Sequence, residues 1–498
     1  IDGDFVQLGQ GTLVADIGLV RGKAASDRLA VSGEATLGGN LLVNPLPGVG
    51  VNFGQQYTVL TAGSIDGTFD TTTLITFSPV LTATSRVVDN AVIVEIGANS
   101  ISQLVGPQSG LASIGSALDA LRFSGRYNAH SQLFGIVDGA SFASFGQTLV
   151  GLTPTSGFGQ AAIANGFSQR FTGQLAQRTL NLRGGNQAAA GFSAAGNASF
   201  AQAGTAPGEA GKLGFFGSVS GSFLNMAEKD YNLGSTAFED ASFLQAGELT
   251  LGADYRLSDG VSFGMAVSNI RNSAQGMDGF RPQEDESVAV AAYGTARFGK
   301  GFADMYVGVA DQSYGLQRAA QGDLVNAYRS ALGAADGQQT FAGVRVGYAM
   351  EPARGLTVGP VASLDYVRSD LGGYTEYGAG SFGLTVRERS LTSVGAKLGA
   401  MASLDMKVGR TGKLTAFGSV AYARELADKQ DVITATFAGA EDLPFTIANR
   451  LDPQWVSVNA GAEMALTDRV STKMSVTSDM GRGVLSNNQA NLTFNWKF

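Results

Sequence analysis

The stretch NLTFNWKF, residues 491–498, decides how the rest of the chain is read. As a strand it puts Leu492, Phe494, Trp496 and Phe498 on one face and Asn491, Thr493, Asn495 and Lys497 on the other, because successive side chains of a strand point to opposite sides. One greasy, aromatic face and one polar face suit a transmembrane β-barrel, whose outer wall meets lipid and whose inner wall meets water. An ordinary edge strand that ends on Phe would look the same, so the preceding residues must choose.

Working backwards from that strand, twelve alternating segments lie within residues 212–498. They start near Lys212, Ala241, Val261, Ser287, Phe302, Thr340, Leu356, Leu391, Leu414, Trp455, Val470 and Gln489. The connections at 258–260, 298–301, 351–355, 409–413 and 467–469 are tight, whereas 225–238, 275–286, 319–338, 368–388 and 425–453 are long and polar. Only GRGVLSN (481–487) is short where a long loop is due. Short–long alternation is the turn-and-loop pattern of an outer-membrane barrel, and a soluble sandwich has no reason to keep it in register. The faces agree. Leu249, Leu251, Ala253, Tyr255 and Leu257 oppose Glu248, Thr250, Asp254 and Arg256; Val344, Val346 and Tyr348 oppose Arg345; Val456, Val458, Ala460 and Met464 oppose Asn459 and Glu463. A lipid-facing Arg or Lys near mid-membrane costs about 2–4 kcal/mol. Glu248, Asp254, Arg256, Asp304, Arg345 and Glu463 are therefore expected inside the barrel. Tyr255, Phe298 and Tyr348 stand at strand ends, where interfacial aromatics belong.

Composition is consistent with this reading. The chain has 498 residues, 69 Gly, no Cys, one His and 15% charged residues, with a net charge of −8. No run of about 18 apolar residues exists, so a helical membrane span is excluded, yet the mean hydropathy is slightly positive. Alternation explains both. Nucleic acid is excluded as a partner because no basic stripe is available to neutralise phosphates. The absence of cysteine suits a chain that crosses an oxidising compartment and must stay unlocked while threading a pore. The chain opens at Ile1 with neither Met nor signal peptide, and the expectation is that something preceded it.

Upstream of the barrel the texture changes twice. Residues 1–98 carry short β-branched runs such as FVQLGQGTLVADI and DRLAVSGEATLGGNLLV, separated by Gly, Asn or Asp turns. Their spacing suggests rungs of a parallel β-helix, with further rungs expected upstream; a small β-sandwich is the alternative. Residues 99–159 read as a helical joining segment, with Leu111, Ile114, Leu118 and Leu121 at helical spacing and a weaker candidate over Gln132–Val150. Residues 160–183 follow as a helix of about 36 Å, with Phe167, Phe171, Leu175 and Leu182 mostly on one side. Arg170, Arg178 and Arg183 bar it from lipid, so it needs a watery or protein-lined surrounding. Residues 184–211, rich in Gly, Ala, Ser and Gln, read as a flexible linker.

With these segments in order, the whole chain resembles a type V, monomeric autotransporter of the pertactin-like kind. The resemblance is carried by DRLAVSGEATLGGNLLV, YTVLTAGSIDGTFD and FSPVLTATSRVVDNAVIVEI at the passenger end. SALDAL (116–121) to GQTLVGLTP (146–154) carries it at the join, and LGGYTEYGAGSFGLTVRERSLTSVGAKLGAMAS with the terminal FNWKF carries it in the barrel. It implies a 12-stranded antiparallel transmembrane β-barrel with a lumenal α-helix, preceded by the end of a right-handed parallel β-helix. It further implies a bacterial outer-membrane location, with the amino-terminal part displayed at the cell surface. The implied partners are outer-membrane lipid, periplasmic chaperones and the barrel-assembly machinery, which would read Phe494, Trp496 and Phe498.

An even strand count puts both barrel ends on one side and the terminal-strand signature puts that side in the periplasm, so the preceding residues must return through the lumen to be displayed. A helix there fills a pore that would otherwise leak. Arg170 and Arg178 are expected to meet acids such as Glu248, Asp254, Asp304 or Glu463, the alternative being charges solvated by lumenal water. Folding of the β-helix outside would supply the drive for export.

No enzymatic chemistry is expected. His130 is the only histidine and lacks a carboxylate pair, and no GxSxG, P-loop or HExxH occurs. Cofactors are not called for. Asn165, beside Gly166, raises self-cleavage by an Asn side chain, but relatives that do this use two adjacent Asn, which this chain lacks. Other readings are an enzyme or adhesin whose working part lies upstream of Ile1, and a plain porin, which needs neither the extension nor the helix.

Overall fold

A computed structural model describes the chain except at residues 21–22, 47–49, 155, 183–198, 204–212, 229–239, 276–282, 321–328, 409–411, 428–429, 451–452, 466–469, 482–484 and 497–498. Twelve long strands form one antiparallel sheet. They are β1 (Leu213–Glu228), β2 (Asp240–Ser258), β3 (Val261–Gln275), β4 (Gln283–Phe298), β5 (Gly301–Ala320) and β6 (Arg329–Tyr348). Then come β7 (Leu356–Leu371), β8 (Arg389–Val408), β9 (Gly412–Glu425), β10 (Gln454–Ala465), β11 (Val470–Met480) and β12 (Leu485–Trp496). Each pairs with the next, and β12 returns to β1 with Phe223 opposite Ala490 and Glu228 opposite Leu485. Two short strands, Ser199–Ala203 and Met350–Ala353, attach beside β1 and β7. Closure satisfies the backbone groups that lipid cannot, which is why a membrane admits barrels but not open sheets.

The period of two fixes which face meets lipid. Leu249, Leu251, Phe263, Met265, Val267, Val288, Val290, Met305, Val307, Val309, Val344 and Val346 are all exposed on the outer wall. Their neighbours Thr250, Ser268, Ala289 and Ala310 are buried inside. On the outer face the apolar residues give way to exposed Glu286, Asp311, Asp336 and Asp370 toward the long-loop end, which marks where hydrocarbon stops. Strands β5 and β6 have 20 residues each, about twice the 9–11 needed to cross a bilayer. Residues 319–338, expected as a polar loop, thus contribute Ala319, Ala320 and Arg329–Gln338 to a hairpin that projects past the lipid.

Two other long connections also depart from expectation. Residues 368–388 and 425–453 fold into a separate four-stranded sheet, made of Tyr374–Thr375, Leu384–Val386, Gln430–Phe437 and Phe445–Arg450. Its apolar face carries Leu384, Val386, Ile433, Ala435, Phe437, Phe445 and Ile447. Against it pack the helices Ala112–Leu121, Ser131–Gly139 and Phe145–Gly151 through Ile114, Leu118, Leu121, Phe134 and Leu149. Tyr314, Leu316, Ala331 and Ala335 of the projecting hairpin close the same core. Val80 and Ala98 tie in the amino-terminal unit. The mouth of the cylinder is therefore capped by a real hydrophobic core.

That amino-terminal unit is built from three parallel ladders. Phe5 lies opposite Ala35 and Ala35 opposite Ile65; Thr12 opposite Asn40 and Asn40 opposite Thr71; Leu29 opposite Leu60. Each residue stacks on one about 30 positions further on, as in a solenoid whose rungs bury their faces only against neighbours. Ile17, Leu41, Val43, Val59, Leu60 and Val94 fill its interior. The stack ends on an antiparallel hairpin, Leu81–Val88 with Ala91–Ala98, whose second strand pairs with Gln56–Thr61. Its two-residue turn uses Asp89 at φ 51°, the backbone state such turns demand.

Candidate functional site: the barrel lumen and its mouth

The helix Ser156–Leu182 begins four residues before the expected 160 and lies inside the cylinder, against β3, β4, β5, β6 and β7. Phe167, Phe171 and Leu175 recur every four residues, so they share one face. They pack on Ala266, Ile270, Ala289, Ala291, Ala310 and Phe341. Small inward alanines make room for the phenyl rings, and Phe171 meets Phe341 edge-on with centroids 5.8 Å apart. Elsewhere on the wall, aromatic rings lie flat over glycines in the opposing strand. Tyr306 faces Gly343, Phe302 faces Gly347 and Phe341 faces Gly308. A Cβ on Gly343 would fall 2.4 Å from the Tyr306 ring, so glycine is required there by space. No helix among the described residues is long and apolar enough to cross a membrane; this says nothing of a β-barrel.

Polar contacts fix the helix at several levels. Arg178 donates through Nε and Nη2 to Asp254 of β2, at 2.8 Å for Nε, and Tyr293 of β4 donates to the other oxygen of the same carboxylate. Both charged side chains are buried, at 2% and 0% exposure. Glu248 acts electrostatically on Arg170 and accepts from Thr250 at 3.0 Å and Ser268 at 2.9 Å. Thr172 is hydrogen-bonded to Tyr306, which donates to Asp365 at 2.6 Å. Gln339 Nε2 donates 2.8 Å to the Ala164 carbonyl. Buried charges are tolerable only with such partners, because desolvation otherwise exceeds the Coulombic gain.

At the mouth two wall arginines reach inward. Arg389 of β8 donates to Asp431 at 2.9 Å, to Gln160 Oε1 at 3.2 Å and to the Gly157 carbonyl at 2.5 Å. Arg318 of β5 binds both oxygens of Glu376, at 2.9 and 2.5 Å, and the carbonyls of Gly151 at 2.6 Å and Phe382 at 2.8 Å. In the cap, Arg122 is paired with Asp138 and stacked 4.8 Å over Phe134. Arg126 grips Asp442 at 2.7 and 2.9 Å, which holds the Asp442 carboxyl below its usual range. His130 is buried beside Gly439. Burial, then the Arg126 charge, lowers its pKa against the pull of the Gly439 backbone and Glu441.

The sequence-derived residues distribute as follows. Arg170, Arg178, Glu248 and Asp254 come together at the helix–wall contact. Asp304 and Arg345 stand directly opposite each other on β5 and β6, with Thr295 donating 2.7 Å to Asp304. Arg256 sits at the short-turn end, 3.5 Å from Asp259. Glu463 stands between Thr415 and Lys473 in the sheet register. Asn165 falls within the helix. Phe494 and Trp496 lie in β12, and Phe498 lies outside the described residues, as does nearly all of the proposed linker. Sequence reading missed Arg318, Arg389, Glu376 and Asp431. Arg318 shares the parity of buried Gln312, Tyr314 and Leu316, a signal that places it inward. Its pairing with a loop acid was not legible. Among the described residues no group of three or more His, Cys, Asp or Glu could hold a metal ion.

A closed twelve-stranded cylinder with an apolar outer belt and a charged, helix-filled interior defines an outer-membrane β-barrel of the translocator class. The autotransporter beta-domain family profile matches residues 215–477, and the chain belongs to the autotransporters. Solved structures with similar folds include the translocator domain of the autotransporter NalP from Neisseria meningitidis (12% identity, 59% of this chain and 90% of that one, TM-score 0.42). Others are the beta domain of the Bordetella autotransporter BrkA (10%, 57% and 99%, 0.37) and the transport unit of AIDA-I from Escherichia coli (11%, 57% and 90%, 0.37). No curated protein matches by sequence. The barrel is thus an autotransporter beta-domain of the outer membrane.

Proposed function

We propose that the barrel exports the residues that precede it and holds them at the cell surface, with Ser156–Leu182 left in the lumen as a plug. The observation that carries this reading is the buried Arg178–Asp254 pair joining helix to wall. A helix bearing arginines cannot face lipid, and a twelve-stranded pore without a helix would leak. In this reading residues 1–98 are the end of a β-helical passenger, 99–159 join it to the plug at 160–183, 184–211 link plug to barrel, and 212–498 translocate. The long-loop end faces the medium and the short turns face the periplasm. Outer-membrane lipid covers the belt, periplasmic chaperones escort the chain, and the assembly machinery reads Phe494, Trp496 and Phe498. The barrel works as a monomer.

The test uses intact cells carrying the full chain. Added protease should remove residues 1–98 while the barrel stays protected, and deleting 156–182 should raise pore conductance in planar bilayers. Protection of the amino-terminal part in cells with a folded barrel would overturn display. Unchanged conductance would overturn the plug.

A further inference from the structure

We propose that a monovalent metal cation, sodium or potassium, binds between the seated helix and the lumen wall, held by oxygens of Asp285, Ser287, Gln312 and Gln339. The inference takes from the reading above only the helix seated in the lumen, and adds a ligand that keeps it there. Asp285 and Ser287 lie on β4, Gln312 on β5 and Gln339 on β6. All four are buried, at 3%, 1%, 4% and 2% exposure. Ser287 stands opposite Gln312, and Asp285 opposite Tyr314, whose hydroxyl donates 2.5 Å to Gln312 Oε1. Gln339 stands opposite Ala310, so it is a diagonal neighbour of Gln312 on the inward face, a separation that long side chains span.

Each of these side chains leaves a polar atom unmatched. The Gly315 amide donates 3.0 Å to Asp285 Oδ1, whereas Asp285 Oδ2 and Ser287 Oγ have no partner. Gln339 Nε2 donates 2.8 Å to the Ala164 carbonyl and 2.8 Å to Ser369 Oγ. Those two bonds fix the amide and leave its Oε1 an acceptor without a donor. At Gln312 it is Nε2 that is unmatched; with the amide turned over, Nε2 donates to the Tyr314 hydroxyl and Oε1 is freed. One carboxylate oxygen, one hydroxyl and two amide oxygens then want a positive partner. The helix covers this side with Ala161 and Ala164, in one core with Tyr314, and methyl groups supply no hydrogen bond.

No arginine or lysine among the described residues offsets the Asp285 charge. Arg389 acts on Tyr314, but its donors go to Asp431, Gln160 and Gly157. A buried carboxylate needs a paired charge or a metal, and hard cations take oxygen ligands. A single carboxylate calls for a single positive charge, since a divalent ion would leave the site with an uncompensated one. Gln339 joins the site to the helix backbone, so the cation binds the seated state in preference to the unseated one and stabilises seating.

The test exploits the absence of native cysteine. Leu175→Cys puts a thiol at a position with 1% exposure, about 16 Å along the helix from Ala164, where a maleimide reaches it only when the helix lifts. The full chain carrying this change is purified in detergent, and barrel closure is verified by heat-modifiable migration. Labelling is timed in sodium, potassium, magnesium and choline chloride at one ionic strength. In sodium or potassium chloride it should be slower than in choline chloride by about tenfold once the cation reaches about ten times its Kd. Adding Asp285→Asn, which keeps the shape and removes the charge, should give one rate in all four salts. Adding Ser287→Ala should raise the cation concentration needed for the same slowing, and it carries the comparison should D285N fail to fold. Equal rates in all salts without either change mean that water or a proton fills the site, and overturn the proposal. Slowing confined to magnesium chloride, or slowing that survives D285N, overturns it as well. Rapid labelling of a closed barrel in every salt would instead remove the seated helix, and the plug reading with it, so the two failures are distinguishable.

Discussion

Replacing Asp254 with Asn removes one charge from a site closed to solvent. Arg178 and Asp254 are 2% and 0% exposed, and Tyr293 occupies the second carboxylate oxygen. Removing one member of a buried pair costs about 3–5 kcal/mol, because the remaining charge stays buried and loses the opposite charge that faces it. Asn retains an acceptor oxygen, so the lower end applies. At 1.4 kcal/mol per decade, about 3 kcal/mol moves the seated-to-unseated equilibrium of the helix by about a hundredfold. Removing both charges with Arg178→Met and Asp254→Leu leaves no buried charge from this pair and costs the Tyr293 hydroxyl only its bond to the carboxylate, so the double variant should lie within about tenfold of the parent. The assay is single-channel recording in planar bilayers, reading the fraction of time spent in a large open state. Heat-modifiable migration confirms that each barrel has closed. D254N should open about a hundred times more often than the parent, and the double variant should recover most of the difference. If D254N behaves as the parent, or if the double variant is as open as the single one, the pair does not hold the helix and the reasoning fails.

Two further outcomes follow from the same geometry. Gly343→Val should hinder barrel closure by about 1–3 kcal/mol of overpacking, since a Cβ there meets only Tyr306 ring atoms within about 2.6 Å; folding yield in detergent should fall and should recover on adding Tyr306→Ala. The cap should loosen on acidification. His130 has a folded pKa below its ordinary 6.5, so the unfolded cap binds more protons and stability falls as pH drops through that value. Arg126, which opposes the charged form, and Glu441, which favours it, are the charged groups around it. Hydrogen exchange of residues 112–151 should therefore speed up between about pH 7.5 and pH 5.5, and His130→Asn should flatten that response.

The barrel was legible because its period of two is short-range: Leu249 through Leu257 reveal the lipid face without knowledge of any partner strand. The helix was legible for a negative reason, since Arg170 and Arg178 ruled out lipid and left the lumen. The mouth was not legible. Residues 368–388 and 425–453 mix Glu376, Asp431, Glu441 and Asp442 with Leu384, Val386, Ile433 and Phe437, and on average such segments look like polar loops. Their apolar residues find a core only by meeting helices more than about 200 positions earlier, a docking that the Thr446 amide joins by donating 2.9 Å to Ser113. The acids at 376 and 431 exist for arginines on other strands. Local patterning holds no trace of such partners, whereas Arg318 could have been placed inward by parity alone.

The cap also constrains the order of events if the barrel exports its own upstream segment. Phe437, Phe445 and Ile447 are covered by the helices of residues 112–151, so their apolar face has no cover until those helices have left the pore. Those helices adjoin the plug, and if export runs from the carboxyl end they emerge before the solenoid. The core at the mouth can then form before the rungs stack, and its formation buries apolar surface that a backward step would re-expose. Stacked rungs resist return of the upstream chain, but they do nothing for the residues between the last rung and the plug. The cap core supplies that missing resistance at the point where the solenoid's own stacking stops. A chain with an intact solenoid and Phe437→Ala, which empties a fully buried site at a cost of about 3–5 kcal/mol, should still display residues 1–98. It should nevertheless leave the 112–151 helices open to protease, and equal protease resistance in that variant would show that the mouth is closed by something other than this core.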